Sequence, residues 1–386
     1  MIYLDNAATS FPKPAQCLHA ALAEYLELGA SPGRGGYDSA VRAQERVAEI
    51  RRQVADFFGA QGCDVCFGYN ATDALNTLIQ GLARPGGHVV STRLEHNSVL
   101  RPLYHLRQAG VCSLDLAPFN AAGLVEPQTV ARLIRPETCL VVLNHASNVL
   151  GTVQPASEIA QICRQRGVPL ILDASQSAGA APIRMREWGV DGLAFTGHKS
   201  LLGPTGIGGL VVEPGLMVRP SRFGGTGLDS ANLLPDLDMP ERLEPGTLNL
   251  LGILGLGHCL RYLQTAQAVQ AAQGERALLR LLLEGLAALP GLMVDCPGHG
   301  PGRLPLVSFN LEGWDPEDAG MVLDGDYGIA ARTGLHCAPL AHQDLGHGLA
   351  GSIRVSLGPY NSEADARALL AALAEMTRAR RAHGQG

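Results

Sequence analysis

Two periodicities alternate along this chain. Short apolar runs that end in polar or small residues read as buried parallel strands: Val168-Pro-Leu-Ile-Leu-Asp173, Gly192-Leu-Ala-Phe-Thr196, Gly87-His-Val-Val-Ser91 and Cys139-Leu-Val-Val-Leu-Asn144. Between them lie stretches with a helical period of about 3.6, among them Cys17 to Leu28 and Ala40 to Phe58, the latter turning Gln44, Glu45, Arg46 and Glu49 to solvent. Cys66 to Asn76 reads as a strand, a sharp turn and a helix start. Strand and helix alternate in this way up to about residue 212, which predicts an α/β fold: a mainly parallel sheet with helices on both faces and ligands at the strand C-termini. Beyond it, a helical stretch from Leu250 to Leu289 ends at Pro290-Gly291. Strands near Val307–Asn310 and Ser352–Ser356, with an amphipathic helix from Glu363, predict a smaller α+β domain. The expected division is 1–254 and 255–386, with the N-terminal segment 1–14, a short strand stopped by Pro12 and Pro14, packing on the smaller part.

Composition narrows the function classes. A chain of 386 residues, 46% hydrophobic and 17% charged, suits a globular protein of two domains. A net charge of -6 leaves no basic stripe for a phosphate backbone, so the expected partners are small molecules or proteins and not nucleic acid. The start, Met1-Ile-Tyr-Leu-Asp-Asn6, lacks a basic region followed by an apolar one, and no apolar run approaches the ~18 residues of a membrane span. The expectation is a cytoplasmic protein. Nine cysteines without regular spacing read as reduced thiols and not as a disulfide framework. Cys63-Asp-Val-Cys66 has a C-x-x-C spacing, but no second pair matches it, which favours buried small hydrophobes over zinc or redox chemistry.

Candidate chemistry concentrates between Asp173 and Gly209. Asp173 closes one apolar strand, and Lys199 follows another just before the glycine-rich Gly203-Pro-Thr-Gly-Ile-Gly-Gly209. Taken singly, such an aspartate is usually a helix cap and such a lysine is usually solvated. Together they are what a pyridoxal phosphate site needs: an amine for the cofactor aldehyde and an anion beside its ring nitrogen. Asp173-Ala-Ser-Gln-Ser-Ala-Gly179, followed by Thr196-Gly-His-Lys199 and Gly203-Pro-Thr-Gly206, resembles the cofactor segment of the class V aminotransferases. Within them it resembles the cysteine desulfurases of the short-loop, Suf-type group, and the likeness runs motif by motif from Tyr3 to about Asn361. It implies the aspartate aminotransferase fold (fold type I) with a seven-stranded sheet, pyridoxal 5'-phosphate as cofactor, L-cysteine as substrate, a homodimer and a sulfur-acceptor protein. Iron–sulfur cluster assembly is the setting it implies.

Roles follow from the resemblance position by position. Thr196 and His198 accompany Lys199 at the cofactor. Ala71-Thr72-Asp73 stands where the family has Gly-x-Thr-Glu on the cofactor phosphate, so main-chain contacts at Ala71 and Thr72 carry over; read alone, it is a helix start capped by Thr72. His96, just after a strand end, takes the stacking and proton-shuttling role over the cofactor ring, although an isolated histidine there would suit a structural hydrogen bond. Asn148 and Gln176 flank the phenolic oxygen, Asn148 also near the substrate. Asn6 and Ala8, in Asn-Ala-Ala-Thr, border the substrate pocket. Thr226, in Phe223-Gly-Gly-Thr-Gly227, is the candidate for reaching the phosphate of the neighbouring subunit, and Arg242-Leu-Glu-Pro-Gly-Thr-Leu-Asn249 lies at the dimer contact. Arg34 receives no role.

Ala331-Arg-Thr-Gly-Leu-His-Cys-Ala-Pro339 decides the chemistry. Cys337, beside His336 and within reach of Arg332, suits a thiolate nucleophile, and an inert thiol is the alternative. His336, Cys337, His342 and His347 mimic a metal cluster, but their spacing fits no standard zinc pattern. The resembling desulfurases read Arg-x-Gly-x-His-Cys-Ala and use this cysteine to attack substrate sulfur; Leu335 replaces a second histidine found in many of them. Arg354 supplies a guanidinium fork matched to a substrate carboxylate. The expected activity converts L-cysteine to L-alanine with a persulfide on Cys337. Selenocysteine lyase activity, a class V aminotransferase or lyase for another amino acid, and a non-catalytic sulfur-carrier scaffold are the alternatives.

Overall fold

The computed structural model describes residues 1–29, 31–296, 298 and 302–383. Seven strands form one sheet in the spatial order 64–68, 208–212, 192–196, 170–173, 138–144, 87–92 and 112–117. The five from 112–117 to 192–196 run parallel, and Gly208–Val212 is antiparallel to both of its neighbours. The sheet is therefore mainly parallel, as the alternating pattern predicts. Its central strands are buried at every position because both faces are covered. In Thr138–Asn144, Val141 and Leu143 join one core with Ile50 and Val54 of the helix Asp38–Phe57. Leu140 and Val142 join the opposite core with Leu75 and Leu78 of the helix Ala71–Leu82.

A second, antiparallel sheet has the order 332–334, 352–356, 306–311 and 292–294. Leu279, Leu282, Leu283 and Leu286 of the helix Ala266–Ala288 cover it together with Leu369 and Leu373, each buried leucine contributing on the order of 1.5–3 kcal/mol. The single helical stretch expected from Leu250 to Leu289 is two helices, Leu250–Leu263 and Ala266–Ala288. Thr265 separates them because its side chain caps the second by accepting from the Ala268 N–H at 3.3 Å. Helix Leu250–Leu263 crosses the expected 254/255 boundary unbroken and keeps Leu256 and Leu260 in the core of the large sheet. A division by cores therefore falls nearer Gln264. The N-terminal strand Ile2–Tyr3 pairs with Ile329–Ala330, and Leu4 is buried in the core of the second sheet. No helix of the described residues is long and apolar enough to cross a membrane.

Candidate functional site

The parallel strands all end at one edge of the sheet, and the groups that follow them meet there around a cavity of about 260 Å³. Asp173 ends the strand Leu170–Asp173, and Thr196 ends Gly192–Thr196, with His198 and Lys199 just after it. Helix Ala71–Leu82 starts behind the strand Asp64–Gly68 and puts Ala71 and Thr72 in the cavity wall. His96 follows Gly87–Thr92, and Asn148 follows Thr138–Asn144. These residues line the cavity together with Gln176, Arg354 and Ala8. Asn6 stays outside its wall: it binds the Ser356 carbonyl at 3.1 Å and Asn361 at 3.2 Å.

Electrostatics match the polarity of the groups. Burial pushes the Lys199 ammonium down to about 8; Arg354 and Arg332 press the same way, while Asp173 and Cys337 oppose them. Burial likewise holds His96 at about 4, with Lys199 adding to the effect, so its ring is neutral at ordinary pH. His96 Nδ1 accepts from the Ser98 N–H at 3.0 Å and caps the helix Asn97–Gln108. Ser98 Oγ also lies 2.7 Å from Thr72 Oγ1, tying the His96 turn to the start of helix Ala71–Leu82. Asp173 Oδ1 accepts from the Ser175 N–H at 2.8 Å, which orients the carboxylate. Below it Glu95 is wholly buried, and burial pushes it up to about 8.

Helix Ala71–Leu82 is capped by Asn70 and not by Thr72: Asn70 Oδ1 accepts from the Asp73 N–H at 3.0 Å. Thr72 thus stands inside the first turn, where early N–H groups lack helical partners and attract anions. Five residues lining the cavity carry a buried, unpartnered polar atom: Asn144 Oδ1, Asn148 Oδ1, Thr196 Oγ1, His198 Nδ1 and Arg354 Nε. Buried polar atoms in this condition are costly unless something binds them. Donors for a phosphate, a lysine amine, a carboxylate and a flat neutral ring occupy one cavity, so the residues present fit pyridoxal phosphate.

Cys337 lies at the rim and outside the cavity lining, on a loop with unusual backbone. His336 and Cys337 have φ of 49° and 57°, left-handed values that cost roughly 1–2 kcal/mol per non-glycine residue. Several contacts hold the loop in place. The Asn97 N–H donates to the Cys337 carbonyl at 2.7 Å, Asn148 Nδ2 to the His336 carbonyl at 2.7 Å, and the Ala338 N–H to the Leu335 carbonyl at 2.8 Å. Gly351 backs the loop so closely that a Cβ there would overlap the Gly334 carbonyl. Arg332 places Nη2 3.9 Å from Cys337 Sγ and also lines the cavity, linking the thiol to it. Burial raises the thiols at Cys17, Cys63, Cys66, Cys112, Cys163, Cys259 and Cys296. Cys63, at about 12, is far from thiolate formation.

One expectation needs correction. Arg354 is not a free fork: its Nη2 donates to Asp5 Oδ1 at 2.8 Å and its Nη1 to the Asn148 carbonyl at 3.0 Å, leaving Nε buried without a partner. The Gly224–Gly227 loop has partners within its own chain, since the Gly225 carbonyl accepts from Arg34 Nη2 at 3.2 Å and from the Gly246 N–H at 2.9 Å. Thr226 borders a different cavity, beside Arg34 and Arg51. Among the described residues no group of three or more side chains is arranged to hold a metal ion. Sequence reasoning missed Asn70, Ser98, Ser175 and Glu95; only Ser98 and Glu95, flanking His96 in Glu-His-Asn-Ser, carried a local signal.

Known proteins similar to this chain share its fold. A probable cysteine desulfurase of Methanothermobacter thermautotrophicus is 33% identical over 381 residues, spanning 97% of this chain and 94% of the relative. A cysteine desulfurase of Salmonella dublin is 32% identical over 389 residues, spanning 98% and 94%. The apo structure of the cysteine desulfurase from Thermococcus onnurineus superposes with a TM-score of 0.88 at 31% identity, covering 98% of this chain and 95% of that one. The family model described as aminotransferase class-V, a family dependent on pyridoxal phosphate, matches residues 2–369. This chain belongs to the class-V aminotransferase family.

Proposed function

We propose that this protein is a pyridoxal-phosphate-dependent cysteine desulfurase that moves sulfur from L-cysteine onto Cys337. The observation that carries the reading is the Cys337 loop: a thiol on a strained, multiply anchored turn, with Arg332 joining it to the cavity of Lys199 and Asp173. Relatives and a solved neighbour named cysteine desulfurase support it.

Bound in the cavity, the cofactor supplies an aldehyde for amines and a ring that accepts electrons from the substrate. Lys199, its proton affinity lowered by burial, would hold the aldehyde and, as a free amine, would take the Cα proton of the substrate. Asp173 would supply the anion for the cofactor's ring nitrogen, His96 a neutral ring beside the cofactor, and Thr196, His198 and the start of helix Ala71–Leu82 would hold its polar and phosphate oxygens. Arg354 Nε and Arg332 orient the substrate carboxylate; a two-point grip by Arg354 needs release of Asp5. The Cys337 thiolate attacks substrate sulfur, so an S–S bond forms as the C–S bond breaks with its electron pair going to carbon. Carbon is then protonated to L-alanine. Sulfur is oxidised by as much as carbon is reduced, so no outside oxidant is needed.

We also place this enzyme in a homodimer. Phe223, Leu233 and Leu234 are 85%, 94% and 89% exposed on the segment that carries Thr226, an apolar surface of the kind that partners cover. Sulfide and alanine assays with L-cysteine test the activity directly; activity on selenocysteine alone would instead favour the lyase reading.

A further inference from the structure

Behind the Cys337 loop three imidazoles run in series toward Asp295, next to the strand Leu292–Val294. His336 Nε2 faces the Arg332 carbonyl at 3.3 Å, His336 Nδ1 faces His342 Nε2 at 3.2 Å, and His342 Nδ1 faces His347 Nδ1 at 3.1 Å. His347 Nε2 faces Asp295 Oδ1 at 3.1 Å. Adjacent ring centroids are 5.3 Å apart with tilts of 37° and 43°, so nitrogens meet edge to edge. His336 and His342 are 3% and 0% exposed, which denies their nitrogens water as an alternative partner.

Both ends of this chain are oxygens that only accept. Each of the four contacts needs one proton between its heavy atoms, and a neutral imidazole brings one. Three neutral rings therefore fall one proton short. From the carbonyl end, His336 must donate from Nε2 and accept at Nδ1. His342 must donate from Nε2 and accept at Nδ1. His347 must then donate from Nδ1, and also from Nε2 to reach Asp295, so it carries both protons and a positive charge beside the carboxylate. The surrounding charges agree: Arg354 and Arg332 face His336, Arg354 also faces His342, and Arg303 faces Asp295. Arginines thus disfavour charge on the two inner rings.

We propose that His342, His347 and Asp295 are positioning residues for Cys337: a protonated His347, held by Asp295, completes a four-contact chain that fixes His336 and with it the loop carrying the thiol. A carbonyl cannot pass a proton onward, so the chain is a clamp and not a proton wire into the cavity. It also accounts for His342 and His347 without a metal, since their nitrogens are spent on one another. The functional meaning rests on the desulfurase reading of Cys337; the clamp itself does not.

The test uses the cofactor-loaded protein with histidine-selective nitrogen-15 labelling, titrated from pH 5 to pH 9. Amide exchange of Asn97 and Ala338 is followed in parallel, because both N–H groups are held by the loop. The expected result is a doubly protonated His347 that loses one proton at the same pH at which Asn97 and Ala338 lose at least tenfold of their exchange protection. In Asp295→Asn both transitions move together to lower pH; Asp295→Glu returns them toward the wild type. Sulfide release by Asp295→Asn falls with KM for L-cysteine unchanged. A His347 ring neutral throughout, or a titration with no change in loop protection, overturns the proposal, and the wild-type titration decides this without any variant. Absence of sulfide from the wild type would sink the desulfurase reading and leave the clamp standing on its exchange data.

Discussion

Lys199 and Lys13 are the chain's only lysines, and their surroundings separate them. Lys13 Nζ donates to the His198 carbonyl at 2.6 Å and to Ser10 Oγ at 2.8 Å, while Lys199 lines the cavity. Borohydride reduction and peptide mapping should therefore place the cofactor on Lys199, and Lys199→Ala should be colourless; a label on Lys13 would refute the assignment. Glu95 gives a second test at this scale. Its folded pKa, about 8, lies above the ordinary glutamate value of 4.5, so the native state holds the extra proton between those limits. The associated stability is complete below 4.5 and is lost as pH rises through 8. Glu95→Gln, which keeps an oxygen for the Thr92 hydroxyl and the Asn144 N–H, should gain in urea midpoint over wild type from pH 5 to pH 8. A pH-independent difference would show that Glu95 is ionised throughout. Asp173, Lys199 and His96 were legible because each follows directly on an apolar strand. Glu95 carried a weaker signal, since burial of a carboxylate beneath Asp173 is a property of packing across strands.

At the scale of elements, the start of helix Ala71–Leu82 joins stability to function. Asn70→Ala removes the cap on Asp73, which should cost about 1 kcal/mol and hasten cofactor loss on dilution. Unchanged urea midpoint and cofactor retention would mean that the helix start does not depend on its cap. The sequence pattern located this helix but favoured Thr72 as its cap, because both residues suit the role and only the backbone geometry chooses. The break at Thr265 was hidden for a similar reason: apolar periodicity continues through it, and a threonine cap leaves no gap in the pattern. The strands Leu292–Val294 and Arg332–Gly334 are each three residues long, too short to show a period.

On the scale of the whole molecule, the two sheets with their cores put the strand ends of one beside the Cys337 loop of the other, and strand pairing across long sequence separations creates that meeting. The N-terminal strand reinforces it, since Asp5 bridges to Ser356 and binds Arg354. The proposed homodimer is tested at this scale: sedimentation should show a dimer, and mixing Thr226 and Lys199 variants should give activity different from either parent if sites are shared. A fully active monomer would refute the shared site. The central claim concerns sulfur transfer, which is separable from cofactor chemistry because Cys337 lies outside the cavity lining. The most direct measurement is sulfide, alanine and protein persulfide produced from L-cysteine by Cys337→Ala beside the wild type. The account predicts a variant that remains folded and coloured, binds L-cysteine, releases no sulfide and carries no persulfide; sulfide release at the wild-type rate would contradict it.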